Sequence, residues 1–159
     1  MILRHAKTAN PEGVIDMDRP LTSRGHADAA AAGAWLARHD YPVDVVLCSP
    51  SRRTRETWHA VAQALSAAPT VYYESKVYAA SARELLEVVR SAPEEASTAL
   101  LIGHNPGLSE LSIMLDRAHA DPEGLRTAGC AVHSWDGDWV ECGHAVAPLT
   151  ASHTARGKS

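Results

Sequence analysis

This sequence of 159 residues lacks features that define several classes of protein. It has no run of about 18 apolar residues, which excludes a helix that spans a membrane. The stretch from Met1 to His5 is not the long apolar segment of a signal peptide. A basic excess is also absent, since 15 Lys and Arg stand against 19 Asp and Glu. We therefore expect neither nucleic acid nor an anionic membrane as a partner.

Cysteine is scarce as well. The three residues of this type, Cys48, Cys130 and Cys142, are an odd number and do not suit a disulfide framework. Reduced thiols are typical of cytosolic proteins, so we predict a cytoplasmic location. No internal repeat or linker divides the chain, and its length suits one domain of ordinary size. We expect that domain to act as a monomer.

Short apolar runs alternate with helical periods, a pattern typical of α/β domains. The runs predict strands at residues 2–3, 43–48, 70–73 and 99–103. The periods predict helices that start at Thr22 or Ser23, at Ser49 or Ser51, at Ser81, and at Asn105 as N-cap with Pro106 as N1. The first helix would run to about Arg38, with Ala27, Ala30, Ala31, Ala34 and Trp35 on one face. We therefore predict a single-domain three-layer sandwich, with a mostly parallel central sheet and helices on both faces.

The remaining segments are less regular. Residues 6–21 contain Pro and Gly and are expected to form a long loop, which at this length is usually functional or disordered. Residues 130–135 and 139–142 are expected to form a closing hairpin. The domain would then comprise residues 1–149, and the polar residues 150–159 would form a flexible tail.

Polar residues follow three of the predicted strands, at Arg4-His5, Ser49-Pro50 and His104-Asn105. Ligands of open α/β sheets bind outside the carboxyl ends of the strands, so these residues are expected to share one crevice. Arg53 lies in the first turn of its helix, where free N–H groups and the helix dipole favour an anion. Two Arg and two His side chains at two helix N-termini therefore predict a site for a doubly charged phosphoryl group.

Each of these residues taken alone has a plainer explanation. A histidine at a strand end is more often a satisfied polar residue than a catalyst. Arg53 stands between Arg52 and Arg55, and such runs are usually solvated faces. The prediction of a phosphoryl site thus depends on the combination.

Four segments carry a resemblance to a known family. They are Leu3-Arg4-His5-Ala6-Lys7, Arg19-Pro20-Leu21-Thr22-Ser23-Arg24-Gly25, Ser49-Pro50-Ser51-Arg52-Arg53-Thr54-Arg55-Glu56-Thr57 and Leu101-Ile102-Gly103-His104-Asn105-Pro106. In this order they resemble the histidine phosphatase superfamily, which includes phosphoglycerate mutases and histidine acid phosphatases, and especially its small SixA-type phosphohistidine phosphatases. The likeness covers roughly residues 1–116.

The resemblance implies a phosphoglycerate mutase-like fold and a phosphatase without metal or other cofactor. It implies His5 as the nucleophile, Arg4, Arg53 and His104 as ligands of the phosphoryl oxygens, and Arg19 as a further phosphate contact. A neutral imidazole with an unperturbed pKa of about 6.5 is a competent nucleophile at neutral pH. The substrate implied is a protein that carries phosphohistidine, with a small phosphate-bearing molecule as the alternative.

Two departures from the family concern the acid that protonates an oxygen leaving group. Asn105 stands where acid phosphatases have Asp directly after the second His. The Trp-Glu-Gly-like segment of the mutases is missing after Tyr78. The carboxylates that could approach the site are Glu12, Asp16, Asp18 and Glu84, and nothing in the sequence selects one.

Other functions compete with this one. A cysteine phosphatase built on Cys48 would need Arg at position 54, where the chain has Thr54, so we expect Cys48 to be a buried strand residue. Nine His could suggest a metallohydrolase, but no HExxH motif or short-spaced His/Asp pair occurs. A general small-molecule phosphomonoesterase and a phosphate-binding module without turnover remain open.

Overall fold

The computed structural model describes residues 1–158, which form one six-stranded sheet and four helices. The strands are β1 (Ile2–Arg4), β2 (Val45–Cys48), β3 (Thr70–Tyr73), β4 (Ala99–Gly103), β5 (Gly129–His133) and β6 (Leu149–Thr154). The helices are α1 (Ser23–Arg38), α2 (Arg52–Ala62), α3 (Ala82–Arg90) and α4 (Gly107–Leu115). None of these helices combines the length and the apolar character needed to cross a membrane.

The sheet has the strand order β3-β2-β4-β1-β5-β6. The first four strands of the chain pair in parallel, whereas β5 runs antiparallel to β1 and β6 antiparallel to β5. Side chains alternate between the two faces of each strand. Ile2 and Leu101 share a core with α3 and α4, while Leu3 and Leu100 share another with α1 and α2. The predicted three-layer α/β sandwich is confirmed.

Three helices begin where the side-chain chemistry indicates. Thr22 accepts a hydrogen bond from the N–H of Gly25 at the start of α1, and Ser51 accepts one from Thr54 at the start of α2. Ser81 and Glu84 form a reciprocal capping box at α3. These hydroxyls satisfy N–H groups that have no partner within the first turn of a helix.

The start of α4 differs from the prediction by one residue. The helix begins at Gly107 with Pro106 as its N-cap, so Asn105 is not the N-cap. The Asn105 side chain nevertheless reaches the first turn, because its Oδ1 accepts hydrogen bonds from the N–H and the hydroxyl of Ser109. Its Nδ2 donates to the carbonyl oxygen of Leu125 at 2.7 Å. The side chain thus ties the helix start to a neighbouring loop.

The predictions for the C-terminal third were wrong in two places. Residues 139–142 do not pair with β5, since Trp139–Glu141 forms a 3₁₀ turn whose Trp139 indole donates to Ala96 O at 2.8 Å. Besides β1, the strand that pairs with β5 is β6, and all of β6 except Leu149 lies in the segment predicted to be a flexible tail. After β6, the N–H of Gly157 donates to the buried carboxylate of Asp28 at 2.9 Å. A polar strand fits here because an edge strand exposes much of its surface to water.

The inward face of α1 also differs from the prediction. Its buried residues are Gly25, Asp28, Ala29, Ala32, Gly33, Trp35 and Leu36, and Ala30 is exposed. The helix packs against α2 so closely that a Cβ on Gly33 would lie 2.5 Å from the carbonyl oxygen of Val61. A glycine at this position therefore permits the close packing of the two helices.

We expect Gly33→Ala to lower the free energy of unfolding by about 1–3 kcal/mol, because the added methyl group overpacks the contact with Val61. Helix propensity alone predicts the opposite sign, a gain of about 1 kcal/mol. Chemical denaturation of both proteins measures the difference. Ala30→Ser, at an exposed position of the same helix, is the control. A Gly33→Ala variant more stable than the parent would contradict the close packing.

Candidate active site

Three neighbouring parallel strands are each followed by a polar residue at the same end of the sheet. His5 follows β1, Ser49 follows β2 and His104 follows β4. The N–H of His5 donates to Gly103 O, and the N–H of Ser49 donates to Ile102 O, both at 3.1 Å. The rings of His5 and His104 therefore lie side by side, with centroids 5.4 Å apart. The predicted convergence of the two histidines is confirmed.

A hydrogen bond shows which ring nitrogen of His5 carries the proton, and the pKa of the ring shows its charge. Its Nδ1 lies 2.8 Å from the carbonyl oxygen of Ala6, and because a carbonyl only accepts, Nδ1 carries the proton. The Ala6 peptide is itself held by a bond from its N–H to the buried hydroxyl of Thr57. Burial, together with repulsion from Arg53, Arg4 and Arg19, lowers the pKa of His5 to about 4. The ring is therefore neutral at pH 7, and its lone pair is on Nε2.

His104 is 9% exposed and is therefore buried, whereas His5 is half-buried. Its Nε2 lies 2.8 Å from the hydroxyl of Ser49, a residue that is fully buried. The ring of Tyr78 meets it edge-on, with centroids 5.6 Å apart. Burial and the nearby Arg53 lower the pKa of His104 to about 3, so this imidazole is also neutral at pH 7.

Arg53 does not belong to a solvated face. It is 7% exposed, whereas the side chain of Arg52 is 50% exposed. Its guanidinium donates to the carbonyl oxygen of Asp16 at 2.7 Å and to the carboxylate of Asp16 at 3.0 Å. The buried charge is thereby compensated, as a buried charge requires.

Asp16 links the cations of the site. It lies in a 3₁₀ turn of the long loop between β1 and α1, and its carboxylate also accepts hydrogen bonds from Arg19 and from the hydroxyl of Tyr78. These bonds, together with that from Arg53, hold the pKa of Asp16 far below its usual value. Asp16 therefore remains a carboxylate at any physiological pH.

Asp16 is thus the carboxylate that the sequence did not select. Glu84 accepts from the N–H of Ser81 within the capping box of α3, and Glu12 is exposed. Proximity to Arg19 in the chain does not separate Asp16 from Asp18, which directly precedes Arg19 and is exposed in the structure. Ser49 was visible in the sequence as the residue after β2, but its contact with His104 was not foreseen.

Arg4 leaves β1 beside His5 and is directed partly toward a neighbouring loop. Its Nη1 donates to Leu125 O at 3.1 Å. Its Nε is buried and has no hydrogen-bond partner among residues 1–158. Arg4 lies close enough to contribute to the lowered pKa of both His5 and His104. All five residues named from the sequence therefore lie in or beside one cluster.

Alternative chemistry finds little support at this position. Cys48 is buried, and burial raises the pKa of its thiol to about 12, so it is not a thiolate nucleophile at neutral pH. Within residues 1–158, His, Cys, Asp and Glu side chains form no group of three or more that could hold a metal ion. A cavity of about 510 Å³ lies at the opposite ends of the strands, near Met1, His133 and Trp139, and does not include the histidine pair.

Comparison with known proteins shows the family to which this chain belongs. Residues 1–75 match the family described as Histidine phosphatase superfamily (branch 1). A solved structure from Nakamurella multipartitia, provisionally named phosphohistidine phosphatase SixA, is 34% identical to this chain with a TM-score of 0.80. The match covers 97% of this chain and 95% of that one. This chain belongs to the histidine phosphatase superfamily.

Two further proteins show how far the likeness extends along the chain. A solved structure from Agrobacterium tumefaciens, provisionally named phosphohistidine phosphatase SixA, is 30% identical with a TM-score of 0.80, over 96% of this chain and 94% of that one. An uncharacterized protein of Mycobacterium tuberculosis strain H37Rv is 36% identical, over 97% of this chain and all of its own length. The histidine phosphatase fold thus accounts for nearly the whole chain, including the C-terminal segment.

The lowered pKa values predict how stability depends on pH. Between about pH 6.5 and 4, the unfolded chain binds protons at His5 and His104 that the folded protein does not bind. The free energy of unfolding should therefore fall as the pH falls through this window. In His104→Gln one of the two contributions is lost, so we expect a shallower fall. Denaturation curves recorded from pH 7 to 4 give both slopes, and parallel slopes would count against a buried neutral His104.

We expect Asp16→Asn to tighten the binding of inorganic phosphate or tungstate, because Asp16 occupies the guanidinium groups of Arg53 and Arg19. One unit charge about 4 Å away in a water-like medium contributes about 1 kcal/mol, or about fivefold in affinity. Isothermal titration calorimetry measures the change, with Asp18→Asn in the same turn as the control. Weaker binding would mean that Asp16 acts mainly by holding Arg53 in place.

Proposed function

We propose that this protein is a phosphatase that removes the phosphoryl group from phosphohistidine on proteins, through a phosphorylated His5. The observation that carries the proposal is the state of His5. Its Nδ1 donates to the Ala6 carbonyl, which leaves the lone pair on Nε2, and Arg53, Arg4 and Arg19 lie close enough to help burial lower its pKa to about 4. A neutral imidazole with its free lone pair next to fixed cations is suited to attack a phosphoryl group.

The surrounding cations would bind the phosphoryl oxygens. In this proposal Arg53 and Arg4 supply permanent charge, His104 supplies a hydrogen bond, and Arg19 is a further contact. Charge spreads over the three equatorial oxygens of a transferring phosphoryl group, so several donors placed around it stabilise the transition state. Since these side chains would neutralise the negative charge of the phosphoryl group, the proposed reaction requires no metal ion.

The reaction has two steps. First, the Nε2 lone pair of His5 forms a bond to phosphorus while the bond from phosphorus to the substrate nitrogen breaks. The leaving imidazole takes up a proton from water. Then water attacks phospho-His5, the P–N bond to His5 breaks, and inorganic phosphate and neutral His5 result. The attacking water releases a proton to the solvent, which replaces the proton that the leaving imidazole took up. Division into two steps replaces one difficult displacement with two easier ones.

The choice of a P–N bond follows from the missing acid. An alkoxide leaving group needs a proton at the moment of departure, and a positioned acid typically contributes about 10²–10⁴-fold to the rate. Asp16 is the carboxylate at the cations, but Tyr78, Arg53 and Arg19 hold its pKa far below neutrality, so it has no proton to give. An imidazole can leave with a proton from solvent, and therefore does not need this acid.

Two observations support a protein as the substrate. The site is bordered by exposed chain, since Ile15 is 66% exposed and stands next to Asp16. In this proposal Ile15 and its exposed neighbour Val14 would contact the protein that bears the phosphoryl group. In addition, the similar structures from Nakamurella multipartitia and Agrobacterium tumefaciens carry phosphohistidine phosphatase names.

We place the reaction in the cytoplasm, where the thiols of Cys48, Cys130 and Cys142 would remain reduced. The monomeric state stays a prediction.

The nucleophile can be tested by trapping the intermediate. Brief exposure to a phosphohistidine protein with a labelled phosphoryl group should leave label on the enzyme that is labile to acid and stable to base. His5→Ala should abolish both label and turnover. Its matched control is His26→Ala, which lies outside the cluster and should retain both. Label that persists in His5→Ala, or that maps to Cys48, would overturn the proposed mechanism.

The leaving group can be tested by comparing substrates. We expect kcat/KM for a phosphohistidine peptide to exceed that for a simple alkyl phosphate by at least about 10²-fold, the lower end of the contribution of a positioned acid. A nitrophenyl phosphate, whose alcohol is acidic, should fall between the two. Equal values for the peptide and the alkyl phosphate would favour a general phosphomonoesterase instead.

A further inference from the structure

The two ring nitrogens of His104 are in different situations. Nε2 lies 2.8 Å from the Ser49 hydroxyl. Nδ1 is buried and has no hydrogen-bond partner in the part of the chain that the structure describes. A neutral imidazole has one N–H and one lone pair, so the contact at Nε2 decides which of the two is on Nδ1.

The surroundings of Ser49 favour one direction for this hydrogen bond. The hydroxyl oxygen of Ser49 already accepts from the N–H of Ser51 at 3.4 Å. Ser49 is fully buried, so its own proton needs an acceptor within the protein. Among residues 1–158 the available acceptor is Nε2 of His104. If Nε2 donated instead, the Ser49 oxygen would face two donors and its proton would have no partner.

The consequence for His104 is a proton on Nδ1. A buried N–H without a partner is unfavourable, and such a group is retained where a ligand can accept from it. The ring lies 5.4 Å from that of His5, between the proposed nucleophile and Tyr78. An oxygen of a phosphoryl group held by Arg53 and His5 is a suitable acceptor, whereas a lone pair on Nδ1 would repel it.

We propose that Ser49 is a positioning residue that donates its hydroxyl proton to Nε2 of His104 and so fixes the Nδ1–H tautomer, which leaves a neutral donor ready for a phosphoryl oxygen. The part of this inference that names the ligand rests on the proposed function. The tautomer itself does not, because it is a property of the protein without ligand. In this arrangement both histidines carry the proton on Nδ1, which leaves His5 with a free lone pair on Nε2 and His104 with a buried N–H that no group of residues 1–158 accepts from.

The tautomer can be measured directly on the full chain. Long-range ¹H–¹⁵N correlation spectra of ¹⁵N-labelled protein at pH 7 distinguish the two neutral tautomers of each imidazole. The His104 signals are assigned by their loss in His104→Gln. We expect the Nδ1–H pattern in the wild type. An Nε2–H pattern in the wild type would overturn the proposal, whatever the behaviour of any variant.

Variants then test the role of the hydroxyl. In Ser49→Ala we expect His104 to lose the fixed tautomer, and Ser49→Thr, which keeps the hydroxyl, should restore it. Ser51→Ala is the matched control, because Ser51 is equally buried and keeps its backbone N–H but does not contact His104. An unchanged His104 spectrum in Ser49→Ala would contradict the assignment of Ser49.

A binding measurement connects the tautomer with the site. We expect Ser49→Ala to weaken the binding of inorganic phosphate by about tenfold, the effect of losing one buried charge-assisted hydrogen bond. Unchanged phosphate affinity together with an altered tautomer would contradict the donor role. If the protein does not turn over phosphohistidine but shows the Nδ1–H tautomer and Ser49-dependent phosphate binding, the proposed function fails and this inference stands. Turnover of phosphohistidine by a protein whose His104 carries the proton on Nε2 would overturn this inference and leave the proposed function standing.

Discussion

The parallel pairing of β2, β4 and β1 is the constraint on which the site depends. Leu47 pairs with Leu101 and Leu3 pairs with Ile102, so the three strands end within one residue of the same level. The residues that follow them then meet as neighbours although the chain separates them widely. A shift of one residue in such a pairing would turn every side chain of the strand to the opposite face. The two cores, one on each face of the sheet, oppose that shift because each would lose its apolar side chains.

The second constraint is the compensation of charge. Arg53 is nearly buried, and a buried guanidinium is tolerated only with close partners. Asp16 supplies those partners through its carboxylate and its backbone oxygen, and this contact also orders the loop in which Asp16 lies. The loop is anchored at its ends by the bridge between Thr8 and Leu21. The protein itself thus holds the cations in place, and the two imidazoles stay neutral because burial and the nearby arginines disfavour a further positive charge.

Local sequence determined much of the fold. The capping residues Thr22 and Ser81 and the apolar run of β4 depend on contacts within a few residues, and these elements lie where they were predicted. The errors occurred where distant contacts decide. An alanine-rich helix such as α1 shows too little contrast for its periodicity to identify the buried face, which packing against α2 sets. The polar residues of β6 form a strand because β5 offers an unpaired edge, and the position of that edge depends on the whole sheet.

The same division applies to the site. The sequence by itself determined that His5 and His104 follow strand ends, that Arg53 opens a helix and that the order of these segments resembles one superfamily. Those properties depend on residue type and spacing along the chain. Only the tertiary structure decided that Asp16, among four carboxylates, binds the cations, that Ser49 contacts His104, and that Arg53 is buried while Arg52 is not. These outcomes depend on distances between segments far apart in the sequence, and on how burial and neighbouring charge change the protonation of each group.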